Sequence, residues 1–237
     1  MKRFYLTNEQ YLTKTIDGDE FNHMKNVMRM SKGDEFIAFI GDEKDYFCQI
    51  EEIKKDRIYF NVIDSKTNTA NPQIKIALFQ ALAKGEKMEL IAQKTTEIGI
   101  TDFFPLYIKN CDVKPNTSKT SRLEKIIINA CKQCGRSLLP NIHPIINLCE
   151  CMKILDTYDI VLFANETENK TRVYDALLKH KSAKNIALII GPEGGFTKEE
   201  IDTINTIAIS VSFGKRILRT ETASIYLTSI INDFYRN

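Results

Sequence analysis

Hydrophobic and polar residues along the first 70 positions follow a pattern typical of a small β-rich unit. The candidate strands, rich in aromatic and β-branched residues, are KRFYL (2–6), EFIAFIG (35–41), DYFCQIEEI (45–53) and RIYFNVI (57–63). Residues 41–44 predict a hairpin turn between two of these strands. One helix is predicted over residues 19–30, where apolar side chains recur at helical spacing at Phe21, Met24, Val27 and Met28.

A polar stretch then separates this unit from the rest of the chain. SKTNTANP (65–72) has no apolar residue except alanine and ends at a proline, which is typical of a linker. The boundary is therefore predicted near residue 72, with one domain over 1–71 and a second over 72–237.

The pattern changes from residue 74, where short apolar runs alternate with amphipathic segments. Runs that are apolar on both faces are typical of parallel strands covered by helices, so the second domain is predicted to have an α/β fold. The candidate strands are IKIALFQAL, DFFPLYI, DIVLFAN, NIALII and IAISVSF. The candidate helices lie near 85–98, 120–135, 170–181, 198–207 and 221–235. Thr197, followed three residues later by Glu200, predicts a capping box at the start of the fourth helix.

Composition places the chain among ordinary soluble globular proteins, with 43% hydrophobic and 27% charged residues. No apolar run approaches the ~18 residues of a membrane span, so no membrane association is expected. The start, MKRFYLTNEQ, has no apolar signal-peptide region, so we expect a cytoplasmic protein whose six cysteines are reduced. The net charge of +2 does not by itself indicate a polyanionic partner, and any contact with nucleic acid requires a local patch.

Two glycine-rich segments carry the candidate chemistry: IIGPEGGF (189–196) and SFGKRILRTETA (212–223). Each follows a predicted strand and precedes a predicted helix, and ligands of open α/β sheets bind at the carboxyl ends of strands. The glycine spacing fits neither the P-loop nor the GxGxxG dinucleotide fingerprint. With these two phosphate-binding motifs excluded, the candidate is a ligand held by backbone groups, such as an adenine with its ribose. The alternative is a pair of tight turns with no ligand.

These segments, with KGEKMELIAQKTTEIGI (84–100) and CGR (134–136), resemble the ribosomal RNA small subunit methyltransferase E family of the knotted SPOUT superfamily. The resemblance implies an N-terminal PUA-like β-barrel that helps hold RNA. It also implies a C-terminal SPOUT-type α/β domain with a deep trefoil knot that forms an S-adenosyl-L-methionine site. The implied protein is a homodimer that methylates N3 of a uridine in small-subunit (16S) ribosomal RNA, either free or in the assembled 30S subunit.

The resemblance also assigns residues to the cofactor. In the first loop they are Ile190, Gly191, Pro192, Glu193 and Gly194. In the second they are Phe213, Gly214, Ile217, Leu218, Arg219, Thr220, Glu221, Thr222 and Ala223. A third loop, around Phe163 to Glu166, matches loosely.

The reaction itself suggests two catalytic candidates, because uridine N3 must lose a proton before it attacks the methyl group. Arg219 is a candidate for stabilising the uridine anion or contacting a phosphate, and Glu221 is a candidate for the base. The alternatives are structural: Arg219 would pin its loop to a carboxylate, and Glu221 would complement the dipole of its helix.

A basic stripe is predicted on the helix in residues 119–136, opposite an apolar face that includes Leu123 and Ile127. It favours phosphate binding, although a solvated helix face would give the same pattern. The RNA-binding candidates are Arg3, Arg29, Lys84, Lys87, Arg122, Lys125 and Arg136.

The cysteines offer a weaker alternative, since Cys131 and Cys134 form a CxxC pair and Cys149 and Cys151 lie close together in sequence. Zinc favours such pairs, but Cys134 falls on the apolar helical face and the second pair has poor spacing, so no metal is expected. The other alternative functions are a non-catalytic RNA-binding or ribosome-assembly factor and a metal-dependent enzyme.

Overall fold

The computed structural model describes residues 1–116 and 118–236. The chain forms two compact units, one of Met1–Asn71 with Cys131–Leu139 and the other of Pro72–Ala130 with Pro140–Asn237. The sequence had placed residues 131–139 in the second domain. Side-chain hydrogen bonds explain why they lie in the first unit: Ser137 bonds to Asp45, and Asn68 donates to Ser137 Oγ over 3.1 Å.

The first unit is built on a five-stranded sheet in the order β1-β3-β4-β5-β2. Its strands are β1 (Lys2–Tyr5), β2 (Thr15–Ile16), β3 (Glu35–Phe39), β4 (Lys44–Ile53) and β5 (Ile58–Thr67). Its helices are α1 (Asn8–Thr13) and α2 (Gly18–Asn22). The predicted hairpin turn is confirmed, because β3 and β4 pair antiparallel on either side of it and Gly41 has a φ of 94°.

The helix predicted over residues 19–30 forms in part. After α2 the chain continues through a wide π-helical turn (His23–Val27), in which Met28 N–H donates to His23 C=O. The turn changes the helical register. Phe21 and Met24 therefore remain in the core of the first unit, whereas Val27 is 68% exposed.

The linker prediction was wrong for its first three residues. Ser65, Lys66 and Thr67 continue β5 and pair with Tyr46, Asp45 and Lys44 of β4. Backbone pairing with a neighbouring strand does not require apolar side chains, so the polar composition of this stretch concealed a strand that is exposed to solvent.

The second unit contains the remaining elements. Its strands are β6 (Lys75–Ala81), β7 (Asp102–Tyr107), β8 (Asn141–Ile142), β9 (Ile146–Asn147), β10 (Ile160–Ala164), β11 (Asn185–Ile190) and β12 (Ile209–Val211). Its helices are α3 (Lys87–Ile98), α4 (Ser118–Cys134), α5 (Leu148–Leu155), α6 (Val173–Leu178), α7 (Lys198–Ile204) and α8 (Thr220–Phe234). The last turn of α4 belongs to the first unit.

The sheet of the second unit has parallel pairing throughout and the order β12-β10-β11-β6-β7-β8, with β9 also paired to β7. On one face, Phe79 and Phe163 pack with Leu155 of α5 and Ile204 of α7. On the other face, Gln80 contacts α8. The predicted parallel sheet with helices on both faces is therefore confirmed. The strand order departs from chain order, and the knot itself stays a prediction.

None of the helices in the described part of the chain is long and apolar enough to cross a membrane.

Candidate active site

Three loops at the carboxyl ends of β10, β11 and β12 surround a cavity of about 370 Å³ in the second unit. The start of α8 closes one side. A cavity of this size lies within the range of about 300–1,000 Å³ that is usual for small-molecule sites. Both glycine-rich segments therefore contribute to one cavity, as expected for ligands of open α/β sheets.

Two glycines have roles that a larger residue would not fill. A Cβ atom on Gly191 would lie 2.7 Å from Cε2 of Phe196, so the close approach of this ring requires glycine. Phe196 in turn packs edge-on against Phe163 at the end of β10, with ring centroids 4.9 Å apart. Gly214 has a φ of 89°, in the left-handed region that favours glycine.

A chain of buried polar groups ties the first loop to α8. Thr220 Oγ1 donates to the carbonyl of Gly191 over 2.6 Å, and Gln80 Nε2 donates to Thr220 Oγ1 over 2.9 Å. Ser224 Oγ donates to the side-chain oxygen of Gln80. Because Gln80 and Ser224 are fully buried, these bonds are costly to break, and they hold the cavity wall in place.

Most of the residues assigned to the cofactor by resemblance line this cavity: Ile190, Gly191, Pro192, Phe213, Gly214, Ile217, Leu218, Thr220 and Ala223. Four do not. Glu193 faces α3, where Lys87 Nζ lies 2.8 Å from its Oε1. The carbonyl of Gly194 accepts a hydrogen bond from Asn110, and Thr222 and Arg219 are exposed to solvent. In the loosely matched third loop, residues 164–166 line the cavity, whereas Phe163 is in the core.

The cavity wall also contains residues that the sequence analysis missed. They are Glu168, Asn169, Gly195, Phe196, Ile201, Ser212, Lys215 and Arg216. Five of them lie inside the two quoted glycine-rich segments, so their position alone was a usable signal: Gly195, Phe196, Ser212, Lys215 and Arg216. Gln80 was missed as well, although a glutamine inside an otherwise apolar strand indicates a buried polar contact.

The two catalytic candidates lie in different environments. Arg219 precedes α8 directly and is exposed, and its side chain makes no hydrogen bond or ion pair with any described residue. Glu221, in the first turn of α8, retains 14% of its side-chain exposure. Its Oε2 atom is buried and accepts no hydrogen bond from the described residues. The Arg219 side chain is thus available to a ligand, and one buried carboxylate oxygen of Glu221 lacks a hydrogen-bond donor among the described residues.

The cations predicted to bind RNA differ in their surroundings. Arg29 and Lys125 are exposed, and neither side chain has a partner among the residues that the structure describes. Arg3, Lys84, Lys87 and Arg122 form ion pairs. Two of these pairs are exposed: Lys84 Nζ lies 2.7 Å from Asp112, and Arg122 Nε lies 2.8 Å from Glu89. Exposed ion pairs of this kind contribute little to stability, and their charged groups readily exchange partners. Both cations can therefore also reach a phosphate.

Arg136 is not on the basic face of α4, which corrects the predicted stripe. The helix ends at Cys134, and Gly135, with a φ of 86°, turns the chain. Arg136 is 2% exposed, and burial lowers the pKa of its guanidinium. A side chain enclosed in this way does not offer its charge to RNA.

Arg3 is also engaged within the fold rather than free at the surface. Its guanidinium donates two hydrogen bonds to the carboxylate of Asp45, over 2.9 and 3.0 Å, and one to Ser137 Oγ over 2.9 Å. Asn68 donates to Asp45 as well. Burial raises the pKa of the Asp45 carboxyl, but the bonds from Arg3, Ser137 and Asn68 outweigh it and lower that pKa overall.

Arg3→Met is therefore expected to destabilise the first unit by about 2 kcal/mol, because it leaves a largely enclosed carboxylate without its cation. Urea unfolding measures this loss. Arg29→Met, at an exposed position with a positive φ, is the matched control and is expected to change the free energy of unfolding by less than ~0.5 kcal/mol. Equal stability of the two variants would contradict the structural role of Arg3.

The pH dependence of unfolding provides a second check on Asp45. Since the folded pKa lies below the unfolded value of about 3.9, its contribution is complete above pH ~5 and is lost as the pH falls through the folded pKa. In Arg3→Met this acid-dependent loss of stability is expected to be smaller.

Three of the six cysteines, Cys48, Cys131 and Cys151, pack as small buried side chains, whereas Cys149 is exposed. Cys131 and Cys151 are fully buried, and burial raises the pKa of each thiol to about 12. Within residues 1–116 and 118–236, no group of three His, Cys, Asp or Glu side chains is arranged to hold a metal ion.

Comparison with known families defines the class of the protein. Residues 69–232 match the family described as RNA methyltransferase domain, and residues 16–63 match the RNA methyltransferase PUA domain. The chain is therefore an RNA methyltransferase by family, with a PUA domain in its N-terminal part.

Individual relatives show which family of RNA methyltransferases the chain resembles. The ribosomal RNA small subunit methyltransferase E of Bacillus subtilis is 30% identical over 246 residues, covering 98% of this chain and 96% of the relative. The enzyme of the same name from Neisseria gonorrhoeae, solved with bound S-adenosyl methionine, is 28% identical with a TM-score of 0.83, over 99% and 98% of the two chains. A Legionella pneumophila protein, also solved with this cofactor, is 31% identical with a TM-score of 0.82, over 98% and 96%. This chain belongs to the ribosomal RNA small subunit methyltransferase E family.

Proposed function

We propose that this protein transfers a methyl group from S-adenosylmethionine to N3 of a uridine in small-subunit (16S) ribosomal RNA. The observation that carries the proposal is the cavity between the two glycine loops, in a chain whose relatives are named as small-subunit ribosomal RNA methyltransferases. The relatives from N. gonorrhoeae and L. pneumophila were solved with the cofactor bound, and each covers nearly the whole of this chain.

The residues that line the cavity fit this cofactor chemically. Ile190, Leu218 and Ala223 offer apolar surface for an adenine ring. The loop backbone on either side supplies N–H and C=O groups for the edge of the ring. Carboxylates of the third loop, such as Glu166, are suited to ribose hydroxyls. The bound cofactor would supply an activated methyl group on a sulfonium, so the protein has mainly to align the reactants.

The protein must also remove the proton from N3 and stabilise the uridine anion. Arg219 is proposed for the second task, because its guanidinium is exposed beside the cavity and free of other partners among the described residues. Glu221 is proposed as the proton acceptor, since one of its carboxylate oxygens is unbonded. The target base must leave any stack to present its Watson–Crick edge.

The RNA is proposed to contact the exposed cations, namely Arg29, Lys84, Arg122 and Lys125. These contacts with phosphate groups would position the substrate without reading its sequence. The substrate is proposed to be 16S ribosomal RNA, free or in the 30S subunit, and the active form to be a cytoplasmic homodimer.

The proposal is tested by incubating the purified protein with isotope-labelled S-adenosylmethionine and with small-subunit RNA or 30S subunits that lack the modification. Labelled N3-methyluridine is expected on nucleoside analysis. Titration with S-adenosylhomocysteine is expected to give micromolar affinity. Label on another atom or base would overturn the position of methylation while leaving the enzyme class intact. An absence of both label and cofactor binding would favour an RNA-binding factor without catalytic activity.

A further inference from the structure

Three charged side chains from three segments of the second unit meet next to the cofactor cavity. Lys87 is the first residue of α3, and its Nζ lies 2.8 Å from Glu193 Oε1 and 3.9 Å from Glu221 Oε2. Glu193 belongs to the loop after β11. Glu221 lies in the first turn of α8, directly after the loop that follows β12. One ammonium group thus links both glycine loops to α3.

The three side chains are largely enclosed, and the charges are unequal. Lys87, Glu193 and Glu221 retain 31%, 26% and 14% of their side-chain exposure. In the described part of the chain, Lys87 is the only cation within 4 Å of either carboxylate. A single cation is therefore the ion-pair partner of two carboxylates. The buried Oε2 of Glu221 has no hydrogen-bond donor among these residues.

Glu193 is the more firmly held of the two carboxylates. Its Oε1 also accepts a hydrogen bond from the main-chain N–H of Lys84 over 3.2 Å, so it contacts the segment just before α3 as well. Burial raises the pKa of Glu193, but the bonds from Lys87 and from backbone N–H groups outweigh this effect and lower it overall. Glu193 is thus stabilised as an anion in its place facing α3.

We infer that Lys87 is a positioning residue for methyl transfer: it holds Glu193 and Glu221 together and so fixes the two loops that form the cavity. The inference rests on the proposed function for the identity of the ligand. Without the ammonium, two neighbouring carboxylates repel each other and lose their shared cation. The two loops are then no longer held in the conformation that binds the ligand. Because binding must restore that conformation, the apparent affinity falls.

The test is calorimetric titration with S-adenosylhomocysteine. Lys87→Met is expected to weaken binding about tenfold or more, within the usual range for coupled sites. Lys87→Arg keeps the charge and is expected to remain within about threefold of the wild type. The double variant Lys87→Met/Glu193→Gln is expected to recover most of the affinity, because it removes one of the two repelling charges.

Lys94→Met is the matched control. Lys94 lies on the same helix and pairs with Glu97 over 3.0 Å, away from both loops, so its replacement is expected to leave the affinity unchanged within about twofold. Thermal melting checks that each variant folds. If Lys87→Met does not fold, the double variant decides: recovered binding supports the inference, and a folded double variant without binding overturns it.

The other outcomes separate the inference from the proposed function. Wild-type affinity in Lys87→Met overturns the positioning role. If its only effect is then a higher KM for RNA, the lysine contacts phosphate instead. If the wild-type protein itself binds no S-adenosylhomocysteine, the proposed function fails, and the inference fails with it.

Discussion

Ala223→Leu is expected to lower the affinity for S-adenosylhomocysteine about 100-fold, equivalent to about 2.7 kcal/mol. Ala223 lies on α8, is 7% exposed, and contributes its methyl group to the wall of the cavity. A leucine places three more carbon atoms in a cavity of about 370 Å³, where the cofactor is proposed to lie. Calorimetric titration measures the loss.

The same substitution is expected to leave the fold intact. Leucine is nearly as good a helix former as alanine, and the added atoms occupy open space rather than a packed core. Asp233→Leu, at an exposed position near the end of the same helix, is the control and should bind as the wild type does. Tight binding by a folded Ala223→Leu variant would show that the cofactor does not lie in this cavity.

Five strands of the second unit could be predicted because each of them produces an apolar run in the sequence. Each of the runs beginning near residues 74, 102, 159, 185 and 207 contains a strand of the observed sheet. Buried parallel strands need apolar side chains on both faces, and this requirement leaves a clear pattern in the sequence. The capping box at Thr197 and Glu200 is also confirmed, since both of its reciprocal hydrogen bonds form.

Short helices were harder to predict. Helix α5, with the sequence LCECMKIL, was missed although Asn147 and Glu150 form a capping box at its start. Its eight residues span barely two turns, which is too short for a secure period. Helix α1, of six residues, has no buried side chain at all. Local polar contacts, rather than hydrophobic pattern, define both starts.

Predicting the site required two kinds of information. The glycine loops carry a local signal, and most of their assigned residues line the cavity. The pairing of charges leaves no local signal in the sequence, because it joins residues that are distant along the chain. Lys87 meets Glu193 across 106 positions, and Arg3 meets Asp45 across 42. A single sequence shows that these side chains are charged or polar, but only the folded chain shows which of them neutralise each other.

Arg219→Ala is expected to reduce the rate of methyl transfer about 100-fold or more while changing the affinity for S-adenosylhomocysteine less than about threefold. Removing one donor that stabilises a developing anion typically costs 10²–10³ in kcat. Cofactor affinity should change little, because Arg219 does not line the cavity. Stability should change little as well, since the side chain is exposed and makes no bond to the described residues. Single-turnover kinetics with saturating RNA measure the rate, and titration measures the affinity.

Two further variants sharpen the interpretation of this result. Arg219→Lys keeps the charge but loses the planar guanidinium, so an intermediate rate is expected if the arginine acts on the uridine anion. Lys179→Ala, which removes an exposed cation at the end of α6, should leave both rate and affinity unchanged. If Arg219 instead only fixes its loop, rate and affinity should fall together. A rise in the KM for RNA without a change in kcat would instead make Arg219 a phosphate contact, and the anion would then need another donor among the groups around the cavity.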